Sequence, residues 1–164
     1  MQERAMFLRN TVFGVEDSLV STVGLLSGIA ATGSVSKSFI LLTGIVYISV
    51  EAFSMAVGSF LSEEFVEEYE HKKEAFFEPA LGAFIMFASF ALAGLVPILP
   101  YLFFAGQRAI LVSVIASIIA LFLLGMAGGH LSRIGIISRG LRMGLLGGAA
   151  IVIGIVVGNF FTIG

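Results

Sequence analysis

The sequence predicts an all-α polytopic membrane protein with five transmembrane helices, and three observations carry that prediction. Hydrophobic residues make up 58% of the 164, charged residues only 12%, and the mean hydropathy is +1.06. A soluble domain carries about 25% charged residues. Five apolar stretches reach the roughly 20 residues that a helix needs to cross a bilayer. They run over about 11–32, 39–61, 79–104, 109–128 and 141–162. The charges gather in the breaks between them, and seven of the eleven acidic residues lie at 63–78. Residues 1–164 therefore read as one transmembrane domain, with a short acidic segment at 62–78 between spans two and three.

Taken in order, span one follows Arg4 and Arg9, a layout that loosely imitates a secretory signal. Glu16 and Asp17 make it too acidic, and its run to about Ala31 too long, so it reads as a retained span. Span two contains Glu51 in an otherwise uncharged run. Span three carries Pro97 and Pro100, which could end it early or kink it, because proline removes a backbone hydrogen bond. Spans four and five are separated by a glycine-containing break at 129–140. With the N-terminus inside, the inner loops hold Arg4, Arg9, Lys72, Lys73, Arg133, Arg139 and Arg142, and the outer loops only Lys37 and Arg108. Seven against two favours N-in, C-out, which turns the acidic segment toward the cytosol.

Composition also excludes functions. Cysteine is absent, so there is no disulfide framework and no thiolate metal site. No nucleophile triad, phosphate-cradling glycine loop, zinc spacing or basic nucleic-acid patch occurs, and nothing argues for an enzyme, a resident cofactor or a nucleic-acid partner. Tryptophan is absent too, so an interfacial aromatic belt would draw on Tyr47, Tyr69, Tyr101 and some of the sixteen Phe.

Small residues recur at intervals of three and four. Gly14, Asp17, Ser21, Gly24 and Gly28 share a face of span one; Ser54, Gly58 and Ser62 do so in span two. Span five has Gly140, Gly144, Gly148 and then Gly154, Gly158. Such stripes allow close helix approach, as bundle packing or as a dimer seam. They place Asp17 on a close-packed face.

Three constellations could carry chemistry. Glu51 and Met55 stand at i and i+4, a carboxylate and a thioether on one helical face. Charged residues in mid-span are costly and are usually functional. No lysine or arginine within the spans could neutralise Glu51, so it is protonated, holds a cation or faces water. Asp17 is a second candidate, as a metal ligand or proton carrier. Its bland alternative is a carboxylate snorkelling to the interface beside Arg9. Glu16, about 100° away, is shallower and less well placed. The third is the acidic segment, in which Glu63, Glu67, Glu70 and Glu74 fall on one helical stripe. Carboxylates there could collect divalent cations, or merely solvate a helix extension. His130 reads as an interfacial residue.

Phe13-Gly-Val-Glu-Asp-Ser-Leu-Val-Ser-Thr22 with Gly24-Leu-Leu-Ser-Gly28 resembles the first-span signature of the vacuolar iron transporter family. Glu51-Ala-Phe-Ser-Met-Ala-Val-Gly-Ser-Phe-Leu-Ser62 resembles its second-span signature. The resemblance implies a homodimer that exports ferrous iron, often also manganese, from the cytosol in exchange for protons. By position it assigns Asp17 to the family's first-span acidic residue and Met55 to its second-span methionine. Two departures stand out: Ser18 follows Asp17 where the family usually has glycine, and the acidic segment is shorter than the metal-binding domain of iron-storing eukaryotic members.

The expected metal set is therefore Asp17, Glu51, Met55, Glu63, Glu67, Glu70 and Glu74. The expected partners are divalent metal, protons, the bilayer and a second copy of the chain. A five-span bundle is thin for enclosing a metal path, which favours a path at a two-fold seam. A passive cation channel and a non-transporting metal sensor or scaffold remain the alternative readings.

Overall fold

The computed structural model describes residues 2–33, 35–70, 76–131 and 135–162. Among them the chain forms five helices and no strand: α1 (Gln2–Ala31), α2 (Lys37–Tyr69), α3 (Phe77–Phe103), α4 (Gly106–Leu131) and α5 (Ile136–Thr162). All five are long and apolar enough to cross a membrane. The protein is an integral, multi-pass membrane protein.

Every helix is longer than its apolar run. The first turns of α1 hold polar residues from Gln2 onward, and α2 continues through Glu63, Glu64, Glu67 and Glu68. Glutamate is a good helix former and nothing in 62–69 breaks the ladder. At 1.5 Å per residue, 33 residues span about 50 Å, against a hydrocarbon core of about 30 Å, so the acidic end of α2 projects beyond the bilayer. The break expected at 62–78 thus shrinks, because its first half belongs to α2. That expected at 129–140 shrinks as well, with Gly129 in α4 and α5 under way from Ile136. Pro97 and Pro100 neither end α3 nor leave its core: both are buried, and the helix runs on to Phe103. Ser113 of α4 donates to the Pro97 carbonyl at 2.7 Å, binding the two helices at this point. Gly33 (φ +70) closes α1, and Gly106 (φ +59) turns the chain from α3 into α4; both need the left-handed backbone that glycine tolerates.

The helix order around the bundle is α2–α3–α4–α5, with α1 in the middle touching all four. Half of the apolar stretch of α1 is buried, against 17% for α5. Among the described residues α2 and α5 do not meet, so the ring is open on one side and a face of α1 lines the opening. Along that slot, Ser21, Gly24, Gly28 and Thr32 of α1 and Gly154 of α5 border a groove of about 480 Å³.

Backbones approach closely where side chains are missing. A Cβ on Gly28 would stand 2.6 Å from the Gly154 carbonyl oxygen, and Gly154 and Gly158 press likewise on Gly24 and Gly28. Gly24 and Gly28 of the span-one stripe are consequently packed against α5 of the same chain. Gly14 packs elsewhere, against Met86 and Ser89 of α3. The stripe of span two behaves differently: Ser54, Gly58 and Ser62 are all exposed, with nothing near Gly58. Gly94 of α3 makes room for Ser18, which is fully buried and donates to the Phe90 carbonyl at 2.7 Å. The serine that stands where glycine was expected thus fastens α1 to α3.

Candidate cation site between α1 and α2

Asp17 and Ser21 lie one turn apart on α1, and Tyr47, Glu51 and Met55 lie one turn apart on α2. The site sits where these two faces meet, near the midpoint of both helices. Ser21 Oγ donates to the Asp17 backbone carbonyl at 2.6 Å, and Tyr47 lies near it across the α1–α2 contact. Asp17 and Glu51 are close enough for each carboxylate to feel the other's charge, and Tyr47 feels both. All three side chains are half-buried. Among the described residues neither carboxylate has an ion-pair partner.

Two like charges without a cation are unstable in such a place. A carboxylate at the centre of a spanning helix costs about 2.5–3.5 kcal/mol even on the insertion scale, the lowest available. The pair can meet that cost by taking up protons or by sharing a cation, since their oxygens are good ligands for either.

The remaining expected residues are distributed differently. Met55 is half-buried and packs against the hydrophobic cluster around Leu26, Ile48 and Phe90. Glu63 pairs with Arg9 at 3.1 Å. That ion pair leaves Asp17 without the arginine considered for it, and with Arg9 largely exposed it contributes about 1 kcal/mol at most. Glu67 is half-buried and Glu70 exposed on the projecting end of α2; Glu74 lies outside the described residues. Among the described residues no three acidic or histidine side chains converge on one point, so the structure joins Asp17 to Glu51 and leaves the α2 glutamates apart from them. His130 is exposed at the end of α4.

Sequence reasoning missed three side chains at or beside the site. Tyr47 read as an interfacial aromatic and Ser21 as a small packing residue. Asn10, 2% exposed, donates from Nδ2 to Ser59 Oγ at 2.9 Å and to the Gly82 carbonyl at 3.0 Å, tying α1, α2 and α3 together two turns from Asp17. A polar residue at i−7 from an in-span carboxylate was the available signal.

The sequence matches the VIT family profile over residues 8–78 and 65–159, nearly its full length. The chain belongs to the VIT family. It is 31% identical over 158 residues to vacuolar iron transporter homolog 3 of Arabidopsis thaliana, an alignment covering 89% of this chain and 78% of that protein. Identity to vacuolar iron transporter homolog 2 of Oryza sativa subsp. japonica is 33% over 163 residues, covering 88% and 85%. VIT-like transporter 1b of Glycine max is 28% identical, with 80% and 66% covered. VIT family membership makes this chain a transporter rather than an enzyme.

Proposed function

We propose that this VIT family protein moves divalent transition metal, Fe²⁺ or Mn²⁺, out of the cytosol in exchange for protons. The observation that carries the reading is the meeting of Asp17 and Glu51 in mid-helix with no basic partner among the described residues. The iron transporters named among its relatives support it. Deprotonated, the two carboxylates offer oxygen ligands and compensating charge. Protonated, they lose both, so proton uptake from the far side expels the metal. Met55, one turn beyond Glu51, adds a soft donor at one end of the site, which favours transition metals over magnesium or calcium. The N-terminus lies in the cytosol, and Glu63, Glu67, Glu70 and Glu74 gather metal at that mouth. Two carboxylates fill only part of a divalent ion's shell. A second copy, bringing its own pair across a two-fold axis at the open side of the bundle, completes the set and encloses the path.

The test is Fe²⁺ and Mn²⁺ uptake by proteoliposomes with an imposed pH gradient. Uphill accumulation that collapses with the gradient, and falls to background in Asp17→Asn and Glu51→Gln, is the expected result. Flux indifferent to the gradient would point to a passive channel. Full activity in both variants would remove the site assignment.

A further inference from the structure

The two halves of α2 are held differently. Its buried residues are Ile40, Gly44, Ile48 and Ala52, a stripe at every fourth position that stops beside Glu51. Over residues 53–69 no side chain of α2 is buried. α1 behaves in the opposite way at this level. Met6, Asn10, Gly14 and Ser18 are all buried against α3, where Met6 and Asn10 meet Gly82, Gly14 meets Met86 and Ser18 donates to the Phe90 carbonyl. Two polar links join the unburied half of α2 to this α1–α3 wall. Asn10 Nδ2 donates to Ser59 Oγ at 2.9 Å, and the same amide donates to the Gly82 carbonyl at 3.0 Å. One turn further along α2, Glu63 pairs with Arg9 at 3.1 Å. Phe60 adds an edge contact to Phe76 just ahead of α3, with ring centroids 5.5 Å apart.

We propose that residues 53–69 of α2 form a gate on the acidic side of the site, latched shut by the Asn10–Ser59 hydrogen bond and the Arg9–Glu63 ion pair. This rests on the reading of Asp17 and Glu51 as the metal site and adds how a cation reaches them from the acidic end of α2. Segments that move are drawn from the parts of a structure with the fewest buried apolar contacts, and this half of α2 is such a part. Both links run from side chain to side chain, so they open without breaking a helix ladder, while Asn10 keeps its hold on the Gly82 carbonyl. At 1.5 Å per residue, Ser59 and Glu63 stand about 10 and 16 Å beyond Ala52. A tilt of about 10° around the packed half carries them about 2 and 3 Å, enough to part both links. Asp17 and Glu51 then face an opening between α1 and α2. On the other side of the site, the groove that borders Val20 and Ser21 extends to Thr32, toward the opposite end of α1. The structure holds the latched conformation.

The experiment uses the full chain, which has no cysteine, with Ala56→Cys as the probe. Ala56 is half-buried on the stripe of α2 between Ala52 and Ser59. Modification of the thiol by a charged, membrane-impermeant methanethiosulfonate reads the opening. Adding Ser59→Ala should speed modification by about 3- to 20-fold, the worth of one interhelical hydrogen bond in a membrane. Ser59→Thr, which keeps the hydroxyl, should return it to the parental rate. Ser113→Ala, which removes a bond between α4 and α3 instead, should leave it unchanged. In a second arm, Arg9→Cys and Glu63→Cys are bridged by a short, cleavable bis-thiol reagent. Mn²⁺ uptake into proteoliposomes should stop on bridging and return on reduction, with the unbridged double variant as reference. Parental reactivity in Ser59→Ala, or undiminished uptake across the bridge, overturns the gate and leaves the carboxylate site standing if Asp17→Asn is inactive. Faster modification in Ser113→Ala as well would reveal general loosening and overturn the latch. If Asp17→Asn takes up Mn²⁺ like the parent, the site itself fails, and the gate to it with it.

Discussion

Replacing Gly28 by alanine should loosen α1 from α5 inside one molecule and leave the association of molecules untouched. The added Cβ would stand 2.6 Å from the Gly154 carbonyl oxygen and 3.2 Å from its carbon. Both atoms are backbone, so no rotamer change relieves the clash. Ordinary contact begins near 3.4 Å, so the helices must part by about 0.8 Å. A gap of 0.5–1 Å forfeits roughly a quarter to a half of each dispersion contact along the crossing. Over-packed sites usually lose about 1–3 kcal/mol, and a backbone-on-backbone clash belongs at the upper end, about 2–3 kcal/mol. For a chain of this size that corresponds to a fall in Tm of roughly 5–10 °C. Reversible unfolding in mixed micelles reads the stability, and light scattering on the same samples reads the oligomeric state. A stable Gly28→Ala protein that has lost its partner copy would refute the reasoning, because the stripe would then be a seam between molecules.

Three further outcomes follow from the packing. Asn10→Ala removes both Nδ2 hydrogen bonds, and at about 0.6–1.7 kcal/mol for each such bond in a membrane protein the loss should be about 1–3 kcal/mol by the same unfolding measurement. Gly94→Ala should cost a similar amount, and Ile48→Val should recover part of it, since the nearest obstruction to the new Cβ is Ile48 Cδ1 at 2.5 Å; a double variant as unstable as Gly94→Ala contradicts this. Asp17→Asn, which removes one of two facing charges, should raise the Tm of the metal-free protein while abolishing uptake, a trade of function for stability that a scan with and without Mn²⁺ separates.

The number and order of helices could be read from hydropathy because 20-residue apolar runs have few other solutions. Their ends could not. The acidic residues 63–68 stop being hydrophobic without ceasing to favour helix, so α2 outruns its apolar stretch by more than a turn. Glu51 was legible because it is a charge with no local excuse for its depth, and Asp17 because it lies on the close-packed face of span one. Ser21 and Tyr47 were not, since a serine in a small-residue stripe and a tyrosine in a hydrophobic span each have an ordinary packing explanation. Their meaning comes from facing one another across α1 and α2, a relation that no spacing within either segment encodes. The glycines fell between these cases. Spacing told that Gly24 and Gly28 admit a close neighbour, and only the fold told that the neighbour is α5 of the same chain.

The distribution of hydroxyl hydrogens makes a stronger case for cation chemistry than either carboxylate alone. Ser18, Ser21, Ser113 and Ser117 all donate to backbone carbonyls, at 2.6–2.8 Å, and so bring no hydrogen to the acidic pair. Of the basic side chains near the helix ends, Arg9 is held by Glu63 and Lys37 donates to the Leu102 carbonyl at 2.6 Å. Leaving both carboxylates charged and uncompensated in hydrocarbon would cost about 5–7 kcal/mol even on the lenient scale, comparable to the whole stability of a typical domain. A bundle that steers these donors away from its two central acids has left their neutralisation to something mobile. Among the described residues no basic side chain pairs with either acid, so on the proposed reading a proton or a cation supplies it.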